Sequence, residues 1–251
     1  MITIGKCQFI ECTNSRPNEL EKAIAIGVPQ SVYFSNKIYN QHVGFDIYEC
    51  SFIRLRSQIG FQGFALVIDL CRDDQHPENY QPVSIRDCVF EFETLLELQQ
   101  SGYITSDSNY GQCGIFFVHR QQNNVNIENC SFNNCFTNVY ISDTTNQIGR
   151  VGDPNSIYIH WATKTTINNC KFYNSGYNYI TDTTNGGGNV VVLRNIENFP
   201  AELIVDNCFF NRTSCTVHVL SVGTIIRNNI IQYCGRNTIR INSQMSLEIV
   251  D

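Results

Sequence analysis

The sequence predicts an all-β protein built as a parallel β-solenoid, and three observations lead to this prediction. A short phrase ending in Cys-x-Phe recurs along the chain, and an apolar strand rich in β-branched residues lies between its copies. Asn and Ile are the commonest residues, with 29 of each, while the helix formers Ala, Leu and Met are scarce. A repeated unit that cannot bury its own apolar face must stack on its neighbours. We therefore expect one domain, residues 1–251, of about seven coils.

The recurring phrase has an apolar residue first, Cys fourth and Phe sixth. Its copies are IGKCQF, IYECSF, IRDCVF, IENCSF, INNCKF and VDNCFF, and a degenerate seventh copy, IRNNII, covers 226–231. The cysteines are Cys7, Cys50, Cys88, Cys130, Cys170 and Cys208, spaced 38 to 43 residues apart. Equivalent residues of stacked coils lie about 4.8 Å apart. We therefore expect inward ladders of like side chains, with Cys130 on Cys170 and Phe132 on Phe172.

The residue before each cysteine is expected to turn the chain sharply. In the second to sixth copies these residues are Glu49, Asp87, Asn129, Asn169 and Asn207. Asn and Asp tolerate the left-handed αL conformation and hydrogen-bond to their own backbone. The sequence therefore predicts a ladder of turns along one corner of the stack.

The strands between the phrases form a second regular row. They are SVYFSN (31–36), FALVID (64–69), GIFFVH (114–119), SIYIHW (156–161), NVVVLR (189–194) and TVHVLS (216–221). Their Val, Ile, Tyr, Phe and Thr content and the lack of a 3.6-residue period exclude helical repeats. A propeller is not favoured either, because its blades need four antiparallel strands each and the WD and kelch landmarks are missing.

The I-x-N-C-x-F-x-N phrase, at irregular coil length, resembles the right-handed parallel β-helix of the pectin-lyase-like superfamily. In style it is closest to the Cys- and Asn-rich β-helix proteins of protists. The resemblance extends from about Ile2 to Ile241. It implies a right-handed parallel β-helix but no single activity, because the superfamily includes lyases, hydrolases, adhesins and inert scaffolds.

The twelve cysteines are interpreted chiefly as small buried hydrophobic residues in a reduced compartment, because half of them occupy the inward position of the repeat. Disulfides between adjacent coils are the alternative for an exported chain. A zinc site is not expected, since the sequence has no CxxC, and the pairs Cys7/Cys12 and Cys130/Cys135 have no histidine at ligand spacing. No cofactor is expected.

No catalytic residue is predicted. The five histidines, His42, His76, His119, His160 and His218, occupy different positions of the repeat, and the chain has no nucleophile elbow or P-loop. The polygalacturonase phrases of the superfamily are matched only by Asp73-Asp74 and Arg240-Ile241. Asp107, Asp143 and Asp182 could stack at one corner and attract Ca²⁺, although capping of their own turns is the commoner role of such residues.

The strand row also predicts a face for binding partners. If the first apolar residue of each strand points inward, the outward row is largely apolar, and such a face marks a binding surface or a covered one. The predicted row consists of Tyr33, Leu66, Ile68, Phe116, Val118, Tyr158, His160, Val191, Leu193, His218 and Leu220. In the alternative interpretation, the inserted segments 11–30, 72–82 and 144–155 fold back over it.

Charge and hydropathy restrict the partners. A net charge of −6 without a basic run argues against nucleic acid, and no apolar stretch is long enough to cross a membrane. The first residues lack the features of a secretory signal, so we expect a cytoplasmic protein, or a cell-surface one if the chain is a processed fragment.

The leading functional hypothesis is a non-catalytic scaffold of a larger assembly, for example a cytoskeletal one. It would bind proteins or copies of itself through the apolar face and the open coil ends. The alternative is a polysaccharide lyase or hydrolase, or a carbohydrate-binding adhesin. The glycosylation sequons at Asn129 and Asn211 favour this alternative weakly.

Overall fold

The computed structural model describes residues 1–12, 24–28, 44–55, 62–69, 82–102, 111–118, 124–135, 157–160, 164–174, 190–193, 202–213, 217–220, 223–233, 239–242 and 247–250. Within these ranges the chain forms 22 strands and one short helix, and all the strands belong to three parallel sheets. The prediction of an all-β chain is confirmed.

The strands enter the three sheets in turn along the chain. The first sheet contains β1 (Ile2–Gly5), β4 (Phe45–Tyr48), β7 (Val83–Arg86), β10 (Asn124–Glu128), β13 (Lys164–Asn168), β16 (Glu202–Asp206), β19 (Gly223–Arg227) and β22 (Leu247–Val250). The second contains β2 (Gln8–Ile10), β5 (Ser51–Ile53), β8 (Val89–Glu91), β11 (Ser131–Asn133), β14 (Lys171–Tyr173), β17 (Phe209–Asn211) and β20 (Ile230–Gln232). The third contains β3 (Ile24–Val28), β6 (Gln62–Asp69), β9 (Gly111–Val118), β12 (Ile157–His160), β15 (Val190–Leu193), β18 (Val217–Leu220) and β21 (Ile239–Asn242).

Each strand pairs in parallel with the strands three places before and after it in the chain. The regular strand stacking is compatible with the solenoid expected from the sequence. In the first sheet, Ile4, Ile47, Ile85, Ile127 and Ile167 occupy one register column. Like residues of successive repeats therefore lie one above the other, as predicted.

One continuous core receives side chains from all three sheets. Ile47 comes from the first sheet, Phe52 from the second and Ile115 from the third, and each is 0% exposed. In the second sheet six phenylalanines form a single column: Phe9, Phe52, Phe90, Phe132, Phe172 and Phe210. Successive ring centroids lie 4.6 to 5.1 Å apart, with interplanar angles of 1° to 5°. The ring spacing matches the spacing of hydrogen-bonded strands, so one geometry satisfies backbone and rings together.

The corner between the first and second sheets is built from residues in the αL conformation. They are Lys6, Glu49, Asp87, Asn129, Asn169, Asn207 and Asn228, with φ between 50° and 57°. This confirms the turn predicted before each cysteine and adds a first and a seventh member. The N–H of each of the first six corner residues donates to the next repeat, as from Asn129 to the carbonyl of Asn168 at 3.1 Å. The sharp turn therefore costs no backbone hydrogen bond.

The amides of this corner also bond to one another in one direction. Asn207 Nδ2 donates to Asn169 Oδ1 at 3.4 Å, Asn169 Nδ2 to Asn129 Oδ1 at 2.7 Å, and Asn129 Nδ2 to Asp87 Oδ1 at 3.0 Å. Asn129 and Asn169 thus act as donor on one side and acceptor on the other. Asn therefore fits the corner twice, through its backbone conformation and through its side chain.

A second αL corner, which was not predicted from the sequence, follows the strands of the second sheet. Its members are Glu11, Arg54, Asn134, Asn174, Arg212 and Tyr233, with φ between 50° and 58°. In the third repeat, helix α1 (Leu95–Gln100) follows strand β8. Thr94 and Glu97 form a capping box at its start. Hydrogen bonds from Thr94, chiefly from its backbone N–H, lower the pKa of the Glu97 carboxyl.

Thr165 interrupts an apolar column of the first sheet, between Val125 and Leu203. Its side chain is 0% exposed, and its hydroxyl has no hydrogen-bond partner. Because an unsatisfied buried hydroxyl costs about 1–3 kcal/mol, Thr165→Val is expected to raise the free energy of unfolding by about 1–2 kcal/mol. Urea denaturation measures this change. A destabilised Thr165→Val variant would contradict the assignment of an unpaired hydroxyl.

Candidate functional site

The predicted partner face lies on the third sheet, which the structure describes mainly at the level of the backbone. Its members form two register columns, one of Phe116, Tyr158, Val191 and His218 and one of His160, Leu193 and Leu220. Val118 follows two residues after Phe116 and pairs with Asp69. These positions alternate along their strands with Ile115 and Ile157, which are 0% exposed in the core. Apart from Leu66, the side chains of the row are not among the described ones, and Tyr33 lies outside the described residues.

Two other members of the row occupy a different register from the one predicted. Leu66 pairs with Ile115, and its side chain is 0% exposed in the core, so the prediction that it faces outward is wrong. Ile68 pairs with Phe117, two residues farther along the same strands. Because the side-chain period of a strand is two, counting from the wrong residue moves the whole strand to the opposite face. The residue in register with Phe116 is Val67.

The outer side of the third sheet is covered at one place. Ala65 adjoins the inward Leu66 and Gly114 adjoins the inward Ile115, so both occupy the alternate face of their strands. Ala65 is 0% exposed and Gly114 is also buried. A partner face that is open to solvent can therefore include only outward positions that follow Ala65 and Gly114 along their strands or lie on later strands of the sheet.

The cysteine column is the densest set of reactive groups in the described part of the chain. The eight described cysteines are free thiols, and five of the six in the repeat phrase are buried, with Cys7 partly exposed. Each ladder thiol donates to the carbonyl two residues before it, at 3.2 to 3.3 Å. Burial raises the pKa of the Cys50 and Cys170 thiols. Because the thiolate is the reactive form, the environment of Cys50 and Cys170 suits packing and not nucleophilic chemistry.

Several carboxylates of the first sheet lie in ion pairs that join neighbouring repeats. Glu202 Oε2 is 2.8 Å from Lys164 Nζ, and Asp206 Oδ2 is 2.8 Å from Arg227 Nη2. The hydrogen bond from Arg227, and a second from Asn228 at 2.9 Å, lower the pKa of the Asp206 carboxyl. These carboxylates therefore act as acceptors between strands.

A cluster around Tyr48 links the first three repeats. The Tyr48 ring lies over Gly5, where a Cβ atom would collide with it, and the Arg86 guanidinium lies 4.5 Å from the ring centroid. Arg86 also donates to Asp46 Oδ2 at 3.3 Å, and this bond raises the pKa of Arg86. A side chain at position 5 would force the Tyr48 ring to move, so glycine at this position permits the ring to lie over the backbone.

The remaining residues considered from the sequence are not brought together by the described structure. His160 pairs with Leu193 and His218 with Val191, so the two lie in different columns, as predicted. The residues outside the described ranges are His42, His76, His119, Asp73, Asp74, Asp107, Asp143 and Asp182. Among the described residues, no group of three His, Cys, Asp or Glu side chains could hold a metal ion. No helix in these ranges is long and apolar enough to span a membrane.

Comparison of the chain with models of known protein families, with characterised proteins and with solved structures gave no match.

Three features of the described surface were not found from the sequence. They are the Gly5–Tyr48–Arg86 cluster, the second αL corner and the role of Asn229, which replaces the cysteine in the seventh repeat. Asn229 Oδ1 accepts the N–H of Cys208 at 2.7 Å, and Nδ2 donates to the carbonyl of Val205 at 3.0 Å. The capping-box sequence at Thr94 could have indicated helix α1, but the corner at Tyr233 carries no sequence signal.

Proposed function

We propose that the chain is a right-handed parallel β-solenoid of about seven coils, of the pectin-lyase-like kind, and that it serves as a non-catalytic scaffold in a larger protein assembly. The observation that supports this role is that the polar and reactive groups of the repeat make contacts within the stack. Its thiols donate to backbone carbonyls, its corner amides bond to the next repeat, and the carboxylates at Asp46, Glu202 and Asp206 pair with cations of adjacent strands. These groups support the stack itself.

The partner face is the later part of the third-sheet row, centred on Phe116, Tyr158 and Leu193. Register supports this choice, because these positions alternate with the buried column of Ile115 and Ile157 and stack across adjacent strands. An apolar sheet face of this kind is a typical protein-binding surface. The burial of Ala65 and Gly114 sets its limit on the side of β6.

The proposal is tested by placing charges on this face. In the double variant Phe116→Asp/Leu193→Asp, we expect an unchanged far-UV circular dichroism spectrum and thermal midpoint, because both positions lie on the strand face opposite the inward column of Ile115 and Ile157. The native complex, measured by size-exclusion chromatography of extracts from the source cells, is expected to disappear. Thr166→Asp, at a half-buried outer position of the first sheet, is the matched control and should leave the complex intact.

Three outcomes would contradict the proposal. The first is a native protein that elutes at the size of a free monomer. The second is a double variant that unfolds, since that result would place Phe116 and Leu193 beneath a covering segment. Cleavage of an acidic polysaccharide by the purified chain, lost on changing a single Asp, would replace the scaffold with the enzyme hypothesis.

A further inference from the structure

One end of the three sheets presents the apolar core at the surface. β1, β2 and β3 are the edge strands of their sheets at this end, which we call the β1–β2 end. Phe9 and Cys7 are partly exposed there, whereas Phe52 and Cys50 in the next repeat are 0% exposed. Phe9 stacks on Phe52 at 5.1 Å, so its other ring face is the one without a partner in the described ladder.

Further apolar surface surrounds this ring. Ile2 in β1 is 46% exposed and Ile10 in β2 is 47% exposed, and Ile4 packs against the core while remaining partly exposed. An edge strand also carries backbone donors and acceptors on its outer side, which makes it a template for pairing with another strand. The β1–β2 end therefore combines an apolar centre with a hydrogen-bonding rim.

The charges around β2 specify what can pair with it. Lys6 lies at the αL corner before β2 and Glu11 at the αL corner after it, and their side chains are 69% and 59% exposed. Opposite charges at the two ends of one strand are self-complementary only in the antiparallel sense. Two antiparallel β2 strands place Lys6 of each copy beside Glu11 of the other, whereas parallel pairing sets like charges together.

The opposite end of the sheets is a poor match for this surface. In the seventh repeat the inward thiol is replaced by Asn229, whose amide groups already bond to Cys208 and Val205. In the described part of the chain, the first sheet also extends one strand farther than the other two. An end at which the three edge strands are level fits another such end better than this stepped one.

We propose that the β1–β2 end is a self-association site at which two copies of this chain meet around a two-fold axis, with their β2 strands antiparallel. The partner is therefore a second copy, and the contact is isologous. This site is separate from the third-sheet face assigned above, so the two can be tested independently.

Charge reversal at the two corners provides the test. Sedimentation velocity of the purified chain is expected to show a dimer. Lys6→Glu and Glu11→Lys, each alone, should weaken it roughly tenfold or more, because each creates two repulsive contacts across the axis. The double variant Lys6→Glu/Glu11→Lys should restore the dimer. Within one chain that double variant sets like charges beside Glu49 and Arg54, so recovery cannot come from a better fold.

The controls use an ion pair away from this end. Lys164→Glu and Glu202→Lys disrupt an exposed intrachain pair of 2.8 Å in the first sheet and should leave the dimer unchanged. The variant Phe116→Asp/Leu193→Asp should also remain dimeric. A monomeric wild-type chain, single reversals without effect, or a double variant that stays monomeric would each overturn the proposal.

Discussion

Replacing Phe172 with alanine is expected to lower the free energy of unfolding by about 3–5 kcal/mol. Its ring is 0% exposed and lies between those of Phe132 and Phe210, at centroid distances of 5.0 and 4.6 Å. Truncation therefore removes two stacking contacts and leaves a cavity that neighbouring rings, held by their own strands, cannot fill. Equilibrium urea denaturation measures the loss.

Phe9→Ala is the matched control for that measurement. Phe9 belongs to the same column, but it is partly exposed and stacks on one side alone within the described ladder. Its loss should cost clearly less than the loss of Phe172. Equal losses of unfolding free energy at the two positions would show that burial of a ring between two others contributes little to stability.

Replacing Asn169 with valine is expected to cost about 2–3 kcal/mol, the second largest effect. Asn169 has φ of 51°, where a β-branched side chain is strained by about 1–2 kcal/mol. Valine also removes the hydrogen bonds to Asn129 at 2.7 Å and from Asn207 at 3.4 Å. Each such bond contributes about 0.5–1.5 kcal/mol, and less at an exposed corner.

Asn169→Gly separates these two contributions. Glycine adopts the αL conformation without strain but also lacks the amide, so it measures the loss of the hydrogen bonds plus the flexibility of glycine. Thermal and urea unfolding of both variants should place glycine between the wild type and valine. If valine were as stable as glycine, the αL backbone would not be the cause of the Asn preference.

The sequence predicted those parts of the fold in which one residue type repeats at one register position. The Cys-x-Phe phrase predicted the thiol and phenylalanine columns because like residues stack on like. The acidic or amide residue before the cysteine in the second to sixth copies predicted the αL corner, because its own chemistry favours that conformation. The second corner was not predicted, because Arg54, Arg212 and Tyr233 have no such preference. The stacked strands impose the αL conformation on these residues.

The partner face was harder to predict, because the apolar residues of a single strand do not show which of them point inward. In strand β6 two apolar neighbours, Ala65 and Leu66, are both buried, so apolar character does not reveal which face either residue occupies. The pairing of β6 with β9, which matches Leu66 with Ile115, determines which alternate residues of β6 face the core. Pairing across about 50 residues is a tertiary property that a local pattern does not contain.

The uniformity of the ladders raises a question of order during folding. A strand displaced by one whole repeat would still set isoleucine on isoleucine, cysteine on cysteine and phenylalanine on phenylalanine, so these contacts scarcely distinguish the native partner from the next one. Contacts that occur once make the distinction. The Tyr48 ring lies over the bare backbone of Gly5, and Asn229 bonds through both sides of its amide to Cys208 and Val205. The groups that contribute most to the stability of the stack are thus different from those that determine the order of its repeats.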